Sequence, residues 1–313
     1  DLGQYPVVSV RRENEGQGDI YGRAELYPCI PSNVTRDLFD DLHAAVLMSA
    51  TVRPFDVTQN VLGLDEPTTM AYGAQFPEER RRTYAVDGPA LFASNRDDPS
   101  TQDTIAQVLS DAARMTPGNT LAFFPSYAEA QRYHERVAVA GTHYLDEPGT
   151  QARDLREAFV DGDDGILFPS LWGTLAEGVS YDGDDARTVV VVGVPYPHLD
   201  DRMDAVQDAY DTSFGEDDEE AGWRYAVEIP TIRKTRQALG RVVRSPDDFG
   251  VRILLDKRYT QAAEMEMHDY AVRGTFPPEE RREMIDIDPG KLKFAMLNFY
   301  QDLGGYNGPP PQP

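Results

Sequence analysis

With 313 residues, 40% of them hydrophobic, the chain is long enough to bury one large core or two small ones. Its 54 acidic and 30 basic residues leave a net charge of −24, which argues against non-specific nucleic-acid binding at low salt. No apolar run reaches the roughly 18 residues of a membrane span, no signal peptide is visible, and the lone Cys29 excludes a disulfide framework or a clustered cysteine metal site.

One cysteine suits a reducing cytosol, and a cytoplasmic location with no membrane partner is the expectation. Only four basic residues are lysine: Lys234, Lys257, Lys291 and Lys293. The acids are spread along the chain. A dispersed acidic, lysine-poor surface points to salt adaptation, in which high salt screens the global repulsion and a local arginine-lined groove can still work. The competing reading is an acidic protein that avoids nucleic acid. The chain does not begin with Met and is expected to be a piece of something longer.

In chain order, Tyr5–Val10 and Tyr21–Ile30 read as strands around a polar turn. Asn33 or Thr35 is placed to cap a short helix running to Leu42. Ala44–Met48 is an apolar run expected to be a buried strand, and Ser49-Ala50-Thr51 follows it. Asp40-Asp-Leu-His43 is not a Mg-binding acid box, because such an acid ends a hydrophobic strand and these residues precede one. Val57–Leu64 reads as a helix closed by Gly63. Gln75–Val86, with Arg80, Arg81 and Arg82, reads as an exposed turn. Ser100–Arg114 places Ile105, Val108, Leu109 and Ala112 on one helical face, ended by Pro117-Gly118.

Strands then alternate with helices. Asn119–Phe124 is a strand, and Pro125-Ser126-Tyr127 opens a helix to about Val137. A hydroxyl at such a turn is either an ordinary N-cap or part of an anion-binding helix start. Strands follow at Thr142–Leu145 and Gly165–Phe168, with a helix at Thr150–Val160 between them. A glycine-bearing turn, Leu171-Trp-Gly-Thr174-Leu-Ala-Glu177-Gly178-Val-Ser180-Tyr181, comes next. The run Thr188–Val194 is continuous and β-branched, as a buried parallel strand should be. After the acidic turn Asp217–Glu220 comes Ile229–Arg244, IPTIRKTRQALGRVVR, a stretch without an acid. If helical to its end, it places Gln237, Arg241 and Arg244 on one face. Gly240 weakens a helix by about 1 kcal/mol and suits close approach of a backbone or phosphate. Guanidinium forks bind phosphate oxygens, and the bland alternative is a solvated basic face. A strand at Val251–Leu255, helices at Thr260–Tyr270, Pro278–Met284 and Lys291–Leu303, and a Gly/Pro tail expected to be disordered complete the chain.

Gln237-Ala-Leu-Gly240-Arg241-Val-Val-Arg244, followed by Ser245-Pro-Asp-Asp248-Phe-Gly250 and Asp256-Lys-Arg258, resembles motif VI of superfamily 2 helicases, in the C-terminal motor lobe of the XPD-type (Rad-three/DinG-like) DNA helicases. Other motifs appear in the family's order from about Leu26 to about Tyr259. Ser49-Ala-Thr51 is similar to motif III, Phe-Phe-Pro-Ser126-Tyr127 to motif IV, and Gly173-x-x-x-Glu177-Gly178 to motif V, with Ser180 where Asp is common and Asp182 displaced. The resemblance implies an α/β fold: a RecA-like (P-loop NTPase-type) lobe with a mostly parallel sheet flanked by helices. Residues 1–51 would be terminal strands of the preceding lobe, 52–290 the RecA-like domain, and 291–313 a C-terminal helix and tail. It implies that Arg241, Arg244 and Gln237 act on ATP. Glu177, Gly178, Gly240, Ser49 and Thr51 would couple nucleotide to DNA, and Ser126, Tyr127 and Thr174 would touch single-stranded DNA. ATP and Mg2+ would be held mainly by the N-terminal lobe of the same parent chain, which in such families often also carries an iron–sulfur cluster. A monomer working in DNA repair is expected. No G-x-x-x-x-G-K-[ST] occurs, and Pro289-Gly-Lys-Leu lacks the pattern, so the chain alone is expected to have no ATPase activity. The alternative is a non-catalytic RecA-like module that binds nucleic acid or protein.

Overall fold

The computed structural model describes residues 4–12, 20–73, 76–176, 179–216 and 218–313. In chain order the elements are β1 Gln4–Arg12, β2 Ile20–Pro28, α1 Ser32–Asp40, α2 Phe55–Leu62, β3 Arg81–Val86, α3 Pro99–Met115, β4 Thr120–Phe123, α4 Tyr127–His134, β5 His143–Leu145, α5 Ala152–Val160, β6 Ile166–Phe168 and β7 Thr188–Val192. They continue with α6 Asp201–Phe214, α7 Ala221–Trp223, a π-helical turn Arg224–Glu228, α8 Ile229–Leu239, β8 Gly250–Leu255, α9 Gln261–Glu266, α10 Pro278–Glu283, β9 Met284–Ile287 and α11 Leu292–Asp302.

Two compact units result, residues 1–71 with 196–233, and residues 72–195 with 234–313. These are not the divisions expected at 51 and 290. Residues 196–233 leave the sheet unit, and α11 belongs to it because Leu292, Met296 and Tyr300 are buried in its core.

The first unit holds the antiparallel pair β1–β2. Its core gathers Cys29, Ile30, Val57, Ala209, Tyr210, Tyr225, Val227 and Ile229. Gly63 ends α2 with φ of 65°, the left-handed C-cap expected of it. The cap expected at Asn33 or Thr35 lies elsewhere. Pro31 begins α1, and the Thr35 hydroxyl donates instead to Leu62 O at 2.7 Å. Ala44–Met48 is not a strand: Val46 and Met48 are 81% and 88% exposed, and no strand pairs with them among the described residues. An apolar run without a ladder partner has nowhere to place its backbone hydrogen bonds.

The second unit is a seven-stranded parallel sheet in the order β5-β6-β4-β7-β8-β3-β9. Every residue of β7 is buried, as continuous β-branching at the centre of a parallel sheet requires. Helix α3 starts under Asp98, whose side chain accepts from Thr101 N, with Pro99 in the first turn. Helix α11 is tied to the sheet by a buried chain of hydroxyls. Thr116 and Thr188 meet at 2.6 Å, Thr188 and Tyr300 at 2.7 Å, and Tyr300 donates to Arg187 O at 2.7 Å. Tyr306, at the start of the Gly/Pro tail, donates to Met115 O.

The arginine-rich run expected as an exposed turn is instead strand β3, between β8 and β9. Arg81 is buried because Glu283 takes both arms of its guanidinium, at 2.9 and 2.6 Å, and Glu283 also receives Arg252.

Candidate functional site

In a parallel sheet, side chains that meet ligands come from the loops leaving the C-terminal strand ends. Here those loops carry Ser126 and Tyr127 after β4, Asp146 after β5, and Ser170–Thr174 after β6. The Ser126 side chain accepts from Glu129 N at 3.2 Å, the N-cap role that sequence also allowed. Phe124 O accepts from Leu171 N at 2.8 Å, which draws the two loops together. A Cβ on Gly173 would lie 2.6 Å from the Tyr127 hydroxyl and 2.9 Å from Asp146 Oδ2, so a side chain there would have to displace both groups. Thr174 is exposed at the start of the 3-10 turn Thr174–Ala176.

Asp146 was not singled out from sequence, since a lone acid after a short strand is no signal. It is 1% exposed, and its Oδ2 has no hydrogen-bond partner among the described residues. Burial pushes its carboxyl up to about 6 from 3.8, and the Ser170 backbone amide works against that rise. A raised pKa means that the contribution of Asp146 to stability is full below 3.8 and is lost as pH rises through about 6. Asp146→Asn is therefore expected to raise stability by roughly 1–2 kcal/mol at neutral pH, with the gain vanishing by about pH 4. Thermal unfolding of both proteins across that range checks it. A gain that does not change with pH would mean the carboxyl is not the titrating group.

The motif VI residues lie in a different local structure from the one expected. Helix α8 stops at Leu239, so Arg241 and Arg244 follow a helix end instead of continuing its face. Val243, β-branched, sits at φ of 63°, a costly conformation. It is held by the burial of Val242 and Val243 and by Asp248, whose Oδ2 accepts from the amides of both Arg244 and Ser245 at 2.8 Å. Gly240 is exposed, and a Cβ there would meet only Arg236 O and Gln237 O at ordinary distances, so its surroundings within this chain do not demand glycine. Gln237 is exposed on α8.

The basic stretch is not a solvated face. Arg233, in the first unit, donates to Val52 O and the Thr58 hydroxyl at 2.8 Å. Within the sheet unit, Arg236 grips Glu280 through Nε and Nη2. Lys234 Nζ lies 5.1 Å from the Trp172 ring centroid. Arg241 donates to Val179 O and Ala176 O, clasping the motif V loop. Arg244 Nη1 meets Asp182 Oδ1 at 3.0 Å, and its side chain is 40% exposed. Asp182 also accepts from the Ser180 hydroxyl at 3.1 Å. The acid displaced from the usual motif V position is thus brought to the second arginine. Arg156 steadies the same loop through Ser180 O and Asp185 Oδ2, each at 2.7 Å.

Two of the expected coupling residues, Glu177 and Gly178, lie outside the described residues. Ser49 and Thr51 belong to the first unit, where their hydroxyls are 3.3 Å apart and Thr51 N donates to Ser49 Oγ.

The family model described as "Helicase C-terminal domain" matches residues 109–270, from α3 through the motif IV, V and VI segments to the residues after α9. The chain belongs to that helicase family. The XPD-type resemblance is borne out by its relatives. The chain is 22% identical over 256 residues to the general transcription and DNA repair factor IIH helicase subunit XPD/RAD3 of Saccharomyces cerevisiae, covering 75% of this chain and 32% of that protein. It is 24% identical over 262 residues to the XPD subunit of Schizosaccharomyces pombe, covering 74% and 32%. The ATP-dependent DNA helicase CHL1 of Candida glabrata is 23% identical over 262 residues, covering 74% and 31%. The chain therefore spans about a third of the length of these curated relatives. Among solved structures, an XPD helicase superposes with a TM-score of 0.64 at 22% identity, covering 84% of this chain and 46% of that one. S. tokodaii Xpd4 gives 0.56 at 17% identity, covering 85% and 49%. The expected α/β fold with a parallel sheet flanked by helices is the one observed. No helix among the described residues is long and apolar enough to cross a membrane.

Proposed function

We propose that the chain is the C-terminal motor half of an ATP-dependent DNA helicase, working on single-stranded DNA and serving DNA repair. The observation that carries this reading is Arg244. It is exposed at the end of motif VI, its backbone is fixed by Asp248, and its guanidinium meets the surface carboxylate of Asp182. A phosphate oxygen can take the place of such a carboxylate, because both accept the same guanidinium fork. The fit to a nucleotide phosphate is therefore good at Arg244, with Gln237 exposed on the preceding helix. Arg241 is committed to two backbone carbonyls and acts through the loop it clasps.

ATP supplies a γ-phosphoryl group whose negative charge must be stabilised as it transfers. Arg244 supplies a fixed positive charge to it, and Arg241 keeps the motif V loop, with Thr174 and Tyr127 near its start, in register with the finger. Mg2+ and the nucleotide's phosphate cradle are assigned to an N-terminal lobe. The dispersed acidic charge fits work in molar salt. The test is ATP hydrolysis by a protein that joins this chain to a P-loop lobe, with and without single-stranded DNA. Failure of Arg244→Ala to slow it would favour the non-catalytic binding module.

A further inference from the structure

Trp172 leaves a large indole 41% exposed, less open than Tyr72, Tyr270 and Phe294 but placed at a C-terminal strand end of the sheet. It stands in the loop after β6, between residues that fix its backbone. Trp172 N donates to Ser170 Oγ at 3.3 Å, Gly173 N donates to Ser170 O at 3.0 Å, and Leu171 N donates to Phe124 O at 2.8 Å. The ring is thus presented from a rigid turn, and holding it exposed adds little ordering cost when a ligand arrives. Lys234, one of only four lysines, lies over the ring. A cation over an indole is a local positive charge in a chain of net charge −24. The same turn continues to the exposed Thr174, and Gly173 packs against the Tyr127 hydroxyl.

An exposed aromatic plane beside a cation, next to a hydroxyl residue at the C-terminal end of a parallel sheet, is what an unpaired base with its attached phosphate requires. The ring takes the base's π-face, and the ammonium takes the charge. We infer that Trp172 is a stacking platform for one base of single-stranded nucleic acid, with Lys234 beside it to meet the backbone. This deepens the DNA-translocating reading above and rests on it. Stacking is indifferent to base identity, as a motor that moves along any sequence needs.

The experiment uses the whole chain, wild type against Trp172→Phe and Trp172→Ala, with folding checked by circular dichroism at the salt used. Anisotropy of a labelled oligo(dT) measures affinity, and an abasic oligonucleotide of the same length is the control. Indole emission is followed in the same titration. Stacking predicts that Trp172→Ala weakens oligo(dT) binding about tenfold and leaves abasic binding unchanged. Trp172→Phe should stay within about threefold of wild type, because it keeps a π-face. The wild-type emission quench should be absent in Trp172→Phe. Equal oligo(dT) affinity in wild type and Trp172→Ala overturns the platform and leaves the DNA reading standing. An equal loss on both oligonucleotides overturns it too, since the effect would then not be on the base. No binding by wild type overturns both, and would turn the exposed ring into a protein-facing contact.

Discussion

Arg244→Ala is expected to slow ATP turnover by roughly a thousandfold in a protein joining this chain to a P-loop lobe, with ATP affinity little changed. Arginine fingers are worth about 10³–10⁵ in rate because they meet charge that appears only as the phosphoryl group transfers. Arg244 suits that part. Its backbone amide is fixed by Asp248, Val243 holds an unfavourable φ just before it, and its side chain is 40% exposed and paired with Asp182. Asp182→Ala should leave turnover close to wild type, since that carboxylate is only a surface partner. Arg241→Ala should act differently. The carbonyls of Ala176 and Val179 would lose their charged donor, costing about 1–3 kcal/mol of stability. DNA stimulation should fall more than basal turnover, because the loop it releases begins at Thr174. Steady-state kinetics with and without single-stranded DNA separate the two arginines. Identical phenotypes would contradict the division of roles.

Arg258→Ala is expected to destabilise the sheet unit by about 3–5 kcal/mol, the cost of leaving one member of a buried ion pair alone. Asp256 is 0% exposed and Arg258 2%. Asp256 Oδ1 accepts from Arg258 N and Nε at 2.9 Å, and Oδ2 accepts from Arg258 Nη2 at 2.7 Å and Leu91 N at 2.8 Å. Arg258 also donates to Leu91 O at 3.1 Å and stacks 4.5 Å from the Phe92 ring centroid. The pair therefore fastens the end of β8 to the segment after β3. A midpoint drop of roughly 6–20 °C follows for a domain of this size. Arg258→Lys should recover little, because the fork and the stack are both lost. Thermal unfolding in molar KCl checks this. A drop under about 3 °C would mean that water replaces the lost partner.

Much of the fold could be read from local pattern. The β-branched run of β7, the apolar spacing of Ile105, Val108, Leu109 and Ala112 in α3, and Gly63 at the end of α2 each announce their own element. What could not be read depended on distant partners. Arg81 lies in a strand because Glu283, far along the chain, neutralises it. Ala44–Met48 is apolar but has no ladder to join among the described residues. Helix α8 was expected to reach Arg244, but the amides of Arg244 and Ser245 go to Asp248 and not to another helical turn. The family was legible as motifs, since residue types at fixed spacing carry them. The pairing of Arg244 with Asp182, the clasp of Arg241 on the motif V loop, and the buried Asp146 are three-dimensional facts with no local signature.

If this lobe supplies Arg244 to a nucleotide held by a P-loop lobe, hydrolysis needs both lobes in one protein. The direct measurement is ATP hydrolysis by three proteins in molar KCl with saturating single-stranded DNA: this chain alone, a P-loop helicase lobe alone, and the two joined. Only the joined protein is expected to turn over, with a rate that rises with DNA. Turnover by this chain alone, or a P-loop lobe as fast alone as joined, would contradict it.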